Sequence, residues 1–534
     1  MAGLVYANSG FMASHVLHWT MIDTATWLPL VLLFGRQAME GRSLAGAVGG
    51  MVLGIAFLAG YAGIFLLLLL ALGIQGLWIL GWRLSEGSWR AVVRPLALLA
   101  LVVVISAGTA AIQLLPLWEP ASRSHQATLD YAWKAQGSLP FAALAGLVMP
   151  FVLQPLSWWR YNESEFFLYP GVLTLVLGLV ALWRVRTRPV AFHALLGMVG
   201  ILIAFGDHLA LFRLLFDLVP GFRYFRYPAR AVLLLHFPLA VLAGFGLDAL
   251  RAKGGDRRGL APLLRVLRIT GAISLAAVPL VLIGISVTGE SPVSEQLTHL
   301  LGQLTMFLLL LGGSLLVMTI AGGAQSCRFV ASLTIGILTV DLVLWGFQPP
   351  TTAENQDGIL RTPPPAAQPR ARVFRSEQAL LSALEVFDPE REILLLGPPP
   401  DLITDGWEAK GSVSVAEFEA HRVRIQAEVR ERPQYLLLSD HYGRWWRATD
   451  NGRPVPILQA DLDLRAIRLG PGHHDVVFTL HFPLFSLGAL ITAITLGAVG
   501  LCLAYRAGGE GRNVSRDRRG EAVRSRTSGI APPL

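Results

Sequence analysis

GIFLLLLLALGIQGLWIL, the stretch from Gly63 to Leu80, holds 18 consecutive residues with no charge and a single side-chain amide, Gln75. Such a run is close to the ~20 apolar residues that a helix needs to cross the hydrocarbon core of a bilayer. Inside lipid every backbone N–H and C=O must find a partner within the segment, which a helix provides and an isolated strand does not. The stretch therefore predicts a membrane-spanning helix.

Runs of the same kind recur along the chain of 534 residues, of which 53% are hydrophobic and 15% charged, with a mean hydropathy of +0.54. That composition excludes an ordinary soluble protein. The pattern predicts an all-α polytopic membrane bundle of about 11–12 transmembrane helices, an incomplete span preceding the first full one. Besides Gly63–Leu80, we expect spans near Thr24–Phe34, Leu44–Leu58, Val92–Gln113, Val172–Trp183, Ala191–Phe205, Ala231–Leu250, Leu264–Val287, Leu301–Ile320, Val330–Phe347 and Leu484–Ala504.

Lys and Arg residues concentrate in alternate loops, which by the positive-inside rule marks the cytoplasmic side. The basic loops lie at Arg36–Arg42, Arg83–Arg94, Arg184–Arg188 and Arg251–Arg258, and the tail from Arg506 belongs to the same side. We therefore expect a multi-pass protein with a cytoplasmic C-terminal tail. These loops account for most of the net charge of +8, so nucleic acid is not expected as a partner.

A change of composition after residue 348 predicts a separate region outside the membrane. Apolar and polar residues alternate with period two at Val423–Val429, Tyr435–Ser439, Arg465–Leu469 and Asp475–Leu480, a pattern typical of strands. We expect a small extracytoplasmic, antiparallel β-sandwich before the last helix. The predicted domains are residues 1–348 (transmembrane domain), 349–483 (extracytoplasmic linker and β-rich domain), 484–505 (final transmembrane helix) and 506–534 (disordered cytoplasmic tail).

PGFRYFRYPAR, residues Pro220–Arg230, places three arginines on the side opposite to the basic loops, where positive charge is unusual: Arg223, Arg226 and Arg230. Guanidinium groups suit bidentate phosphate binding, and the segment lies just before a predicted membrane helix, near the depth of a lipid headgroup. We expect these arginines to bind the phosphate of a lipid-linked donor. The alternative is contact with ordinary anionic phospholipid or pairing with Asp207 and Asp217.

Two further groups of polar residues are candidates for a site. The carboxylates of Glu119 and Asp130, in a predicted external loop, could accept a proton from a sugar hydroxyl, or be incidental charges on a solvated loop. Another group could line a cavity or lie at the interface: His15, His18, Asp23 and Arg123. Although His15 and His18 are spaced i, i+3, no third ligand is near, so no metal site is predicted.

Several motifs, in a specific order, resemble the bacterial YfhO-type membrane protein family. In the C-terminal region the similar residues are Leu437–Asp440, Trp446, Asp450, Gly452, Arg465–Ile467, Gly472, His473, Val476, Phe478 and Pro483. Earlier blocks with the same resemblance are Leu114–Glu119 with Ser122 and Arg123, then Pro220–Arg230, and then Leu242–Asp248.

This resemblance implies similarity to the C-type glycosyltransferases, which take a sugar from a polyprenyl-phosphate lipid at the outer membrane face. It implies a bacterial cytoplasmic (inner) membrane, a polyprenyl-phosphate sugar as donor, membrane lipids and a cell-envelope glycan or polymer acceptor as partners. No cofactor is implied with certainty, and a divalent metal requirement stays open.

The chain departs from the family at its beginning and at Gly60–Gly63, where many relatives read Gly-His-Pro. The opening, Tyr6–Gly10 with Ala25–Pro29, resembles a family segment that normally lies several helices into the protein. The N-terminal helices and the external acidic loop that usually supplies the catalytic base are therefore expected to be missing, through a late start codon or truncation. Two functions remain open: a lipid-linked-sugar glycosyltransferase, or a non-catalytic scaffold or lipid-binding protein of envelope assembly.

Overall fold

The computed structural model describes residues 1–87, 90–123, 130–152, 164–219, 221–251, 260–289, 291–321, 327–346, 366–368, 370–374, 392–396, 411–419, 421–430, 433–443, 445–461, 464–482 and 484–527. The chain divides into two compact units. Met1–Leu117, Ala121–Pro350 and Leu487–Leu534 form the first, and Trp118–Pro120 with Thr351–Ser486 form the second.

The first unit is helical. In chain order the helices are α1 (Ala2–Ala7), α2 (Gly10–Ser14), α3 (Trp19–Ala25), α4 (Leu28–Met39), α5 (Ser43–Leu58), α6 (Ala62–Glu86), α7 (Arg90–Thr109), α8 (Ala111–Arg123), α9 (Tyr131–Lys134), α10 (Val172–Arg184), α11 (Arg188–Ala204), α12 (Ala210–Leu218), α13 (Leu233–Arg251), α14 (Ala261–Thr288), α15 (Pro292–Ala321), α16 (Cys327–Gly346) and α17 (Phe485–Thr527). Short 3₁₀ turns lie at Phe141–Leu147, Gly206–His208, Phe222–Tyr224 and Pro228–Val232.

Within the described residues, six helices are long and apolar enough to cross a membrane: Ala62–Ser85, Val92–Thr109, Pro228–Arg251, Ala261–Thr288, Pro292–Ile320 and Phe485–Arg506. Four shorter apolar helices coincide with other predicted spans: Ser43–Leu58, Val172–Arg184, Arg188–Ala204 and Ser332–Leu342. The mostly helical, membrane-embedded character predicted from the sequence is therefore confirmed, whereas length alone supports fewer spans than the 11–12 predicted.

Two predicted spans have different boundaries in the structure. The span at Thr24–Phe34 is divided between α3 and α4, because Pro29 lies in the first turn of α4, where proline starts a helix readily. The span at Val92–Gln113 ends at Thr109, and a new helix, α8, begins at Ala111. The final helix continues to Thr527, through residues for which the sequence predicts disorder; Arg and Glu are good helix formers.

The span Pro228–Arg251 is the most buried of the six, with 67% of its apolar 18-residue core buried, against 11% for the corresponding part of Ala261–Thr288. Glycine permits the closest approach to this helix. A Cβ at Gly246 would overlap the backbone carbonyl of Leu177 in α10, whereas a Cβ at Gly244 would lie 3.9 Å from its nearest neighbour, Ala2 Cβ. Gly246 thus sets the distance between α10 and α13.

The last helix contacts the break between α7 and α8. Thr492 Oγ1 lies 3.2 and 3.1 Å from the carbonyl oxygens of Gly108 and Thr109, and it accepts the Ile112 N–H at 3.0 Å. A Cβ at Gly488 would overlap the carbonyl of Ala111. A helix end leaves backbone groups without intrahelical partners, and Thr492 therefore supplies partners for both ends of this break.

The second unit contains two sheets. The six-stranded sheet has the order β1-β6-β10-β9-β3-β2 and the five-stranded sheet the order β4-β5-β11-β7-β8. The strands are β1 (Ala366–Gln368), β2 (Arg370–Phe374), β3 (Glu392–Leu396), β4 (Gly411–Glu419), β5 (Arg422–Val429), β6 (Gln434–His441), β7 (Trp446–Asp450), β8 (Arg453–Val455), β9 (Leu458–Ala460), β10 (Leu464–Leu469) and β11 (Gly472–Leu480).

All described strand pairs are antiparallel except β2–β3, which is parallel. The Asn-Gly turn between β7 and β8 has positive φ at Asn451 and Gly452, the conformation that this dipeptide favours in a two-residue hairpin turn. One apolar core includes residues of both sheets, such as Ile425, Leu436 and Phe478. The predicted β region is therefore confirmed.

Candidate functional site

Four segments of the helical unit meet around Arg230, which lies in the 3₁₀ turn Pro228–Val232 that leads into α13. His15 follows α2, Tyr61 precedes α6, and Glu165 lies in the segment before α10. We refer to Arg230, Glu165, His15 and Tyr61 as the buried charged cluster.

An ion pair forms the centre of the buried charged cluster. Arg230 Nε lies 2.9 and 3.0 Å from the two carboxylate oxygens of Glu165, and a second guanidinium nitrogen also donates to this carboxylate. Arg230 Nη1 donates to the Tyr61 hydroxyl. The side chains of Glu165 and Arg230 are only 9% and 12% exposed, so the pair is largely removed from water. A pair with this many hydrogen bonds can offset the cost of removing two charges from water.

His15 also contacts the Glu165 carboxylate. Its Nδ1 is 2.9 Å from the Phe11 carbonyl oxygen and 3.0 Å from Ser14 Oγ, and its Nε2 is 3.4 Å from Glu165 Oε2. A carbonyl oxygen only accepts, so the contact with Phe11 requires a proton on Nδ1. With Nδ1 protonated, His15 also donates to Glu165 when the ring is an imidazolium.

The surroundings of Glu165 hold it in the ionised form. Burial by itself would raise the pKa of this carboxyl group, but hydrogen bonds from His15 and Arg230 and their positive charge outweigh burial and lower the pKa to about 2. Glu165 is therefore a carboxylate at neutral pH and a weak base.

Arg226 lies beside this cluster between two aromatic rings. Its Cζ is 3.7 Å from the ring centroid of Trp133 and 4.4 Å from that of Tyr227. Its Nη2 donates to the Tyr227 hydroxyl at 3.0 Å and to Gln136 Oε1 at 3.3 Å, while its Nε has no partner among the described residues. The guanidinium group is thus held between the two rings, and its buried Nε–H has no partner among the described residues.

Tyr227 contacts two arginines at once, because its ring centroid lies 4.7 Å from Arg230 Cζ as well as 4.4 Å from Arg226 Cζ. Its backbone has φ +59°, a left-handed conformation that is uncommon for a non-glycine residue. Gly137 makes room for the ring, since a Cβ at that position would overlap it. Backbone strain of this kind persists when the surrounding packing over-determines it, and it is concentrated at functional sites.

Arg223 is exposed, with its Cζ 5.8 Å from the Phe216 ring centroid. Among the described residues, no carboxylate forms an ion pair with Arg223 or Arg226. Asp217 instead pairs with Arg213 at 2.9 Å, and Asp207 interacts with Tyr131. The predicted alternative, pairing of the arginines with Asp207 and Asp217, is therefore wrong for the described residues; Arg230 pairs with Glu165.

His18 and Asp23 differ in their relation to the buried charged cluster. His18 precedes α3, is exposed, and its ring centroid lies 5.7 Å from that of His15. Loss of part of the ring's hydration to the surrounding protein, followed by the positive charges of His15 and Arg230, lowers the pKa of His18, and the charge of Glu165 opposes this shift. Asp23 is exposed on α3 and has no hydrogen bond or ion pair with any described residue.

The other predicted residues are Glu119, Arg123 and Asp130, and none of them has a described contact with the members of this cluster. Glu119 and Arg123 belong to helix α8 rather than to a loop, because α8 extends beyond Pro116 to residue 123; their side chains lie outside the described part of the chain. Asp130 Oδ1 accepts the backbone N–H of Trp133 at 2.9 Å and caps α9. Capping explains the carboxylate of Asp130 without a catalytic role.

The sequence did not identify three residues as partners of the arginines: Glu165 and Tyr61, which contact Arg230, and Trp133, which contacts Arg226. Glu165 follows an aromatic stretch at residues 158–161 typical of a membrane interface, and Tyr61 lies in the Gly60–Gly63 segment that departs from the resembled family. No metal-binding group of His, Cys, Asp or Glu is found among the described residues. Comparisons with protein-family models, curated proteins and solved structures found no match.

Proposed function

We propose that this chain is an integral membrane protein that binds a lipid-linked sugar phosphate beside Arg226 and moves its sugar to a cell-envelope acceptor. A polyprenyl-phosphate sugar is the proposed donor. The observation that supports this most is the pair Arg223 and Arg226, two guanidinium groups without a carboxylate partner among the described residues, next to the start of an apolar helix.

The guanidinium group of Arg226 is held in one orientation, which favours binding of a phosphate. Stacking on Trp133 and Tyr227 fixes the plane of the guanidinium group, so little conformational freedom is lost when it binds an anion. Its Nε–H is buried without a partner among the described residues, so a phosphate oxygen would be bound by the terminal nitrogens of the guanidinium group. Arg223, which is exposed, would supply a second charge.

We assign the proton acceptor of the reaction to His18. Transfer to a hydroxyl needs one base to take up the acceptor's proton. Glu165, whose pKa is near 2, is too weak a base and is engaged by Arg230 and His15. His18 is exposed, and with its lowered pKa it is neutral and able to accept a proton at pH 7. Glu165 then holds Arg230 and His15 in position.

A second candidate is a non-catalytic lipid-binding protein of envelope assembly. The specific observation in its favour is that Glu165, the carboxylate that pairs with Arg230, is buried and accepts several hydrogen bonds, as in a structural ion pair. In this case Arg223 and Arg226 would bind the same lipid phosphate without turning it over.

We further propose that the two sheets form a β-sandwich on the extracytoplasmic side of the bacterial inner membrane. Two features support it: the apolar core that includes residues of both sheets, and the concentration of Lys and Arg in the alternate loops and the tail. The tail after Arg506 would then be cytoplasmic.

The test is a transfer and binding assay on the full chain in liposomes, with a panel of radiolabelled polyprenyl-phosphate sugars. Wild type is compared with Arg226→Gln and Arg223→Gln. Arg213→Gln is the matched control, since Arg213 is an exposed arginine of the same region that already pairs with Asp217.

Transfer by wild type and Arg213→Gln that is lost in Arg226→Gln supports the glycosyltransferase. Binding of the lipid without transfer of any sugar supports the lipid-binding alternative. If wild type neither binds nor transfers any donor, or if all three variants behave alike, both proposals are wrong.

A further inference from the structure

A second cationic site lies at the other end of helix α5 from Tyr61. A cavity of about 520 Å³ opens between the turn that joins α4 to α5, the start of α7 and the last helix α17. Ligand pockets commonly measure about 300–1,000 Å³. The 16 residues of α5 span roughly 24 Å at 1.5 Å per residue, so this cavity is remote from the buried charged cluster.

Three arginines from three separate elements line this cavity: Arg42, Arg94 and Arg506. Arg94 Nη2 donates to the Gly41 carbonyl oxygen at 2.8 Å. Arg42 and Arg506 have no hydrogen bond or ion pair with a described residue, and the described lining includes no Asp or Glu. Like charges repel when brought together, so this arrangement favours an anion between them.

The remaining wall of the cavity is apolar. Phe34, Leu44 and Val48 are half-buried and adjoin the arginines, on the flank of α4 and α5. A free phosphate ion would gain nothing from contact with these apolar side chains. A lipid would place its headgroup against the arginines and an acyl chain along the apolar side chains. The combination of a basic rim and an apolar wall is therefore suited to an amphiphile.

We propose that this cavity binds the phosphodiester headgroup of an anionic phospholipid. Arg42, Arg94 and Arg506 contact the phosphate, and Phe34, Leu44 and Val48 contact the first part of an acyl chain. Because Arg506 belongs to the last helix and Arg42 to an early turn, the bound lipid joins two parts of the chain that are far apart in sequence. This site shares no residue with the proposed sugar-donor site and does not depend on it.

The test is native mass spectrometry of the full chain in detergent, with phosphatidylglycerol or phosphatidylcholine of identical acyl chains. Arg42→Gln and Arg506→Gln are compared with Arg186→Gln, an exposed arginine of another basic loop that does not line the cavity. We expect wild type to retain phosphatidylglycerol over phosphatidylcholine. Each cavity variant should lower this retention about fivefold, the effect of one basic residue near an anionic lipid, and Arg186→Gln should leave it unchanged.

An equal loss in Arg186→Gln would overturn the proposal, because general surface charge would then explain the retention. Displacement of phosphatidylglycerol by millimolar inorganic phosphate would also overturn it and would indicate a free-anion site. The three substituted arginines, Arg42, Arg186 and Arg506, are all exposed. Thermal unfolding of each variant in phosphatidylcholine nanodiscs is therefore expected to match wild type, and this measurement separates a binding defect from misfolding.

Discussion

Replacing Glu165 by Gln tests how strongly the buried charged cluster stabilises the protein. The substitution keeps the size of the side chain and one acceptor oxygen but removes the charge that faces Arg230 and His15. Since Arg230 is only 12% exposed, its charge would lose its partner without gaining full hydration. The expected result is a large loss of stability from a single isosteric change.

The magnitude follows from the pKa of Glu165, which falls from an ordinary value of 4.5 to about 2 on folding. At 1.36 kcal/mol per pH unit, this difference corresponds to a stabilisation of about 3 kcal/mol. Breaking a buried ion pair from one side costs a similar ~3–5 kcal/mol. Because the folded pKa is depressed, this stabilisation is complete above pH 4.5 and is lost as the pH falls toward 2.

The assay is reversible unfolding of the purified full chain in mixed micelles, followed by tryptophan fluorescence, at pH 7 and at intervals between pH 5 and pH 3. Glu40→Gln is the control, since the Arg36–Glu40 pair is 55% and 40% exposed. A solvent-exposed i, i+4 pair of this kind is worth about 0.3–0.5 kcal/mol. The difference between wild type and Glu165→Gln should shrink as the pH drops below 4.5.

A loss of less than about 1 kcal/mol in Glu165→Gln at pH 7, comparable with that expected for the control pair, would refute this reasoning. So would a difference that stays constant from pH 5 to pH 3, because the stabilisation would then not come from the ionised carboxylate.

Three further predictions concern helix packing and the proposed site. Gly246→Ala places a methyl group against the backbone of α10 and should lower the free energy of unfolding by about 1–3 kcal/mol in the same assay. Gly244→Ala is the control, because this position has space around it, and it should be neutral or slightly stabilising. Equal effects of the two substitutions would contradict the packing argument. If His18 is the proton acceptor, transfer by wild type should decline as the pH falls below the lowered pKa of His18 and stay level above it. His18→Gln should lower the rate of transfer about 10²–10⁴-fold and remove this pH dependence; residual transfer with the wild-type pH profile would exclude His18. Trp133→Leu removes the ring stacked on Arg226 and should weaken binding of a polyprenyl phosphate about two- to fivefold in a vesicle binding assay. Undiminished binding would show that stacking does not hold Arg226 in place.

Much of the architecture could be predicted from local patterns. Apolar runs such as Gly63–Leu80 and the period-two segment Val423–Val429 form the expected helix and strand, because lipid and sheet each impose a simple periodicity on the residues they cover. Predictions were less accurate at helix ends. At Pro29 and Ala110 the apolar character continues, while the backbone starts a new helix.

The site could be predicted only in part. The sequence indicates Arg226 and Arg230 as candidates because they are basic residues on the side opposite to the basic loops. The role of each, however, depends on contacts between residues that are far apart in sequence. Glu165 meets His15 across 150 positions and Arg230 across 65, and no local pattern encodes such pairs. Asp130 illustrates the opposite case, in which a carboxylate proposed for chemistry is explained by a local helix cap.

The contact between Thr492 and the break after Thr109 has a consequence for biosynthesis. Thr492 meets the Gly108 carbonyl across 384 residues of chain. At about 5–20 residues per second, a ribosome needs roughly 20–80 s to synthesise the intervening segment. During that interval the helix ends at Thr109 and Ala111 lack this partner, so the break between the two helices reaches its final hydrogen bonding only after the last helix has been made.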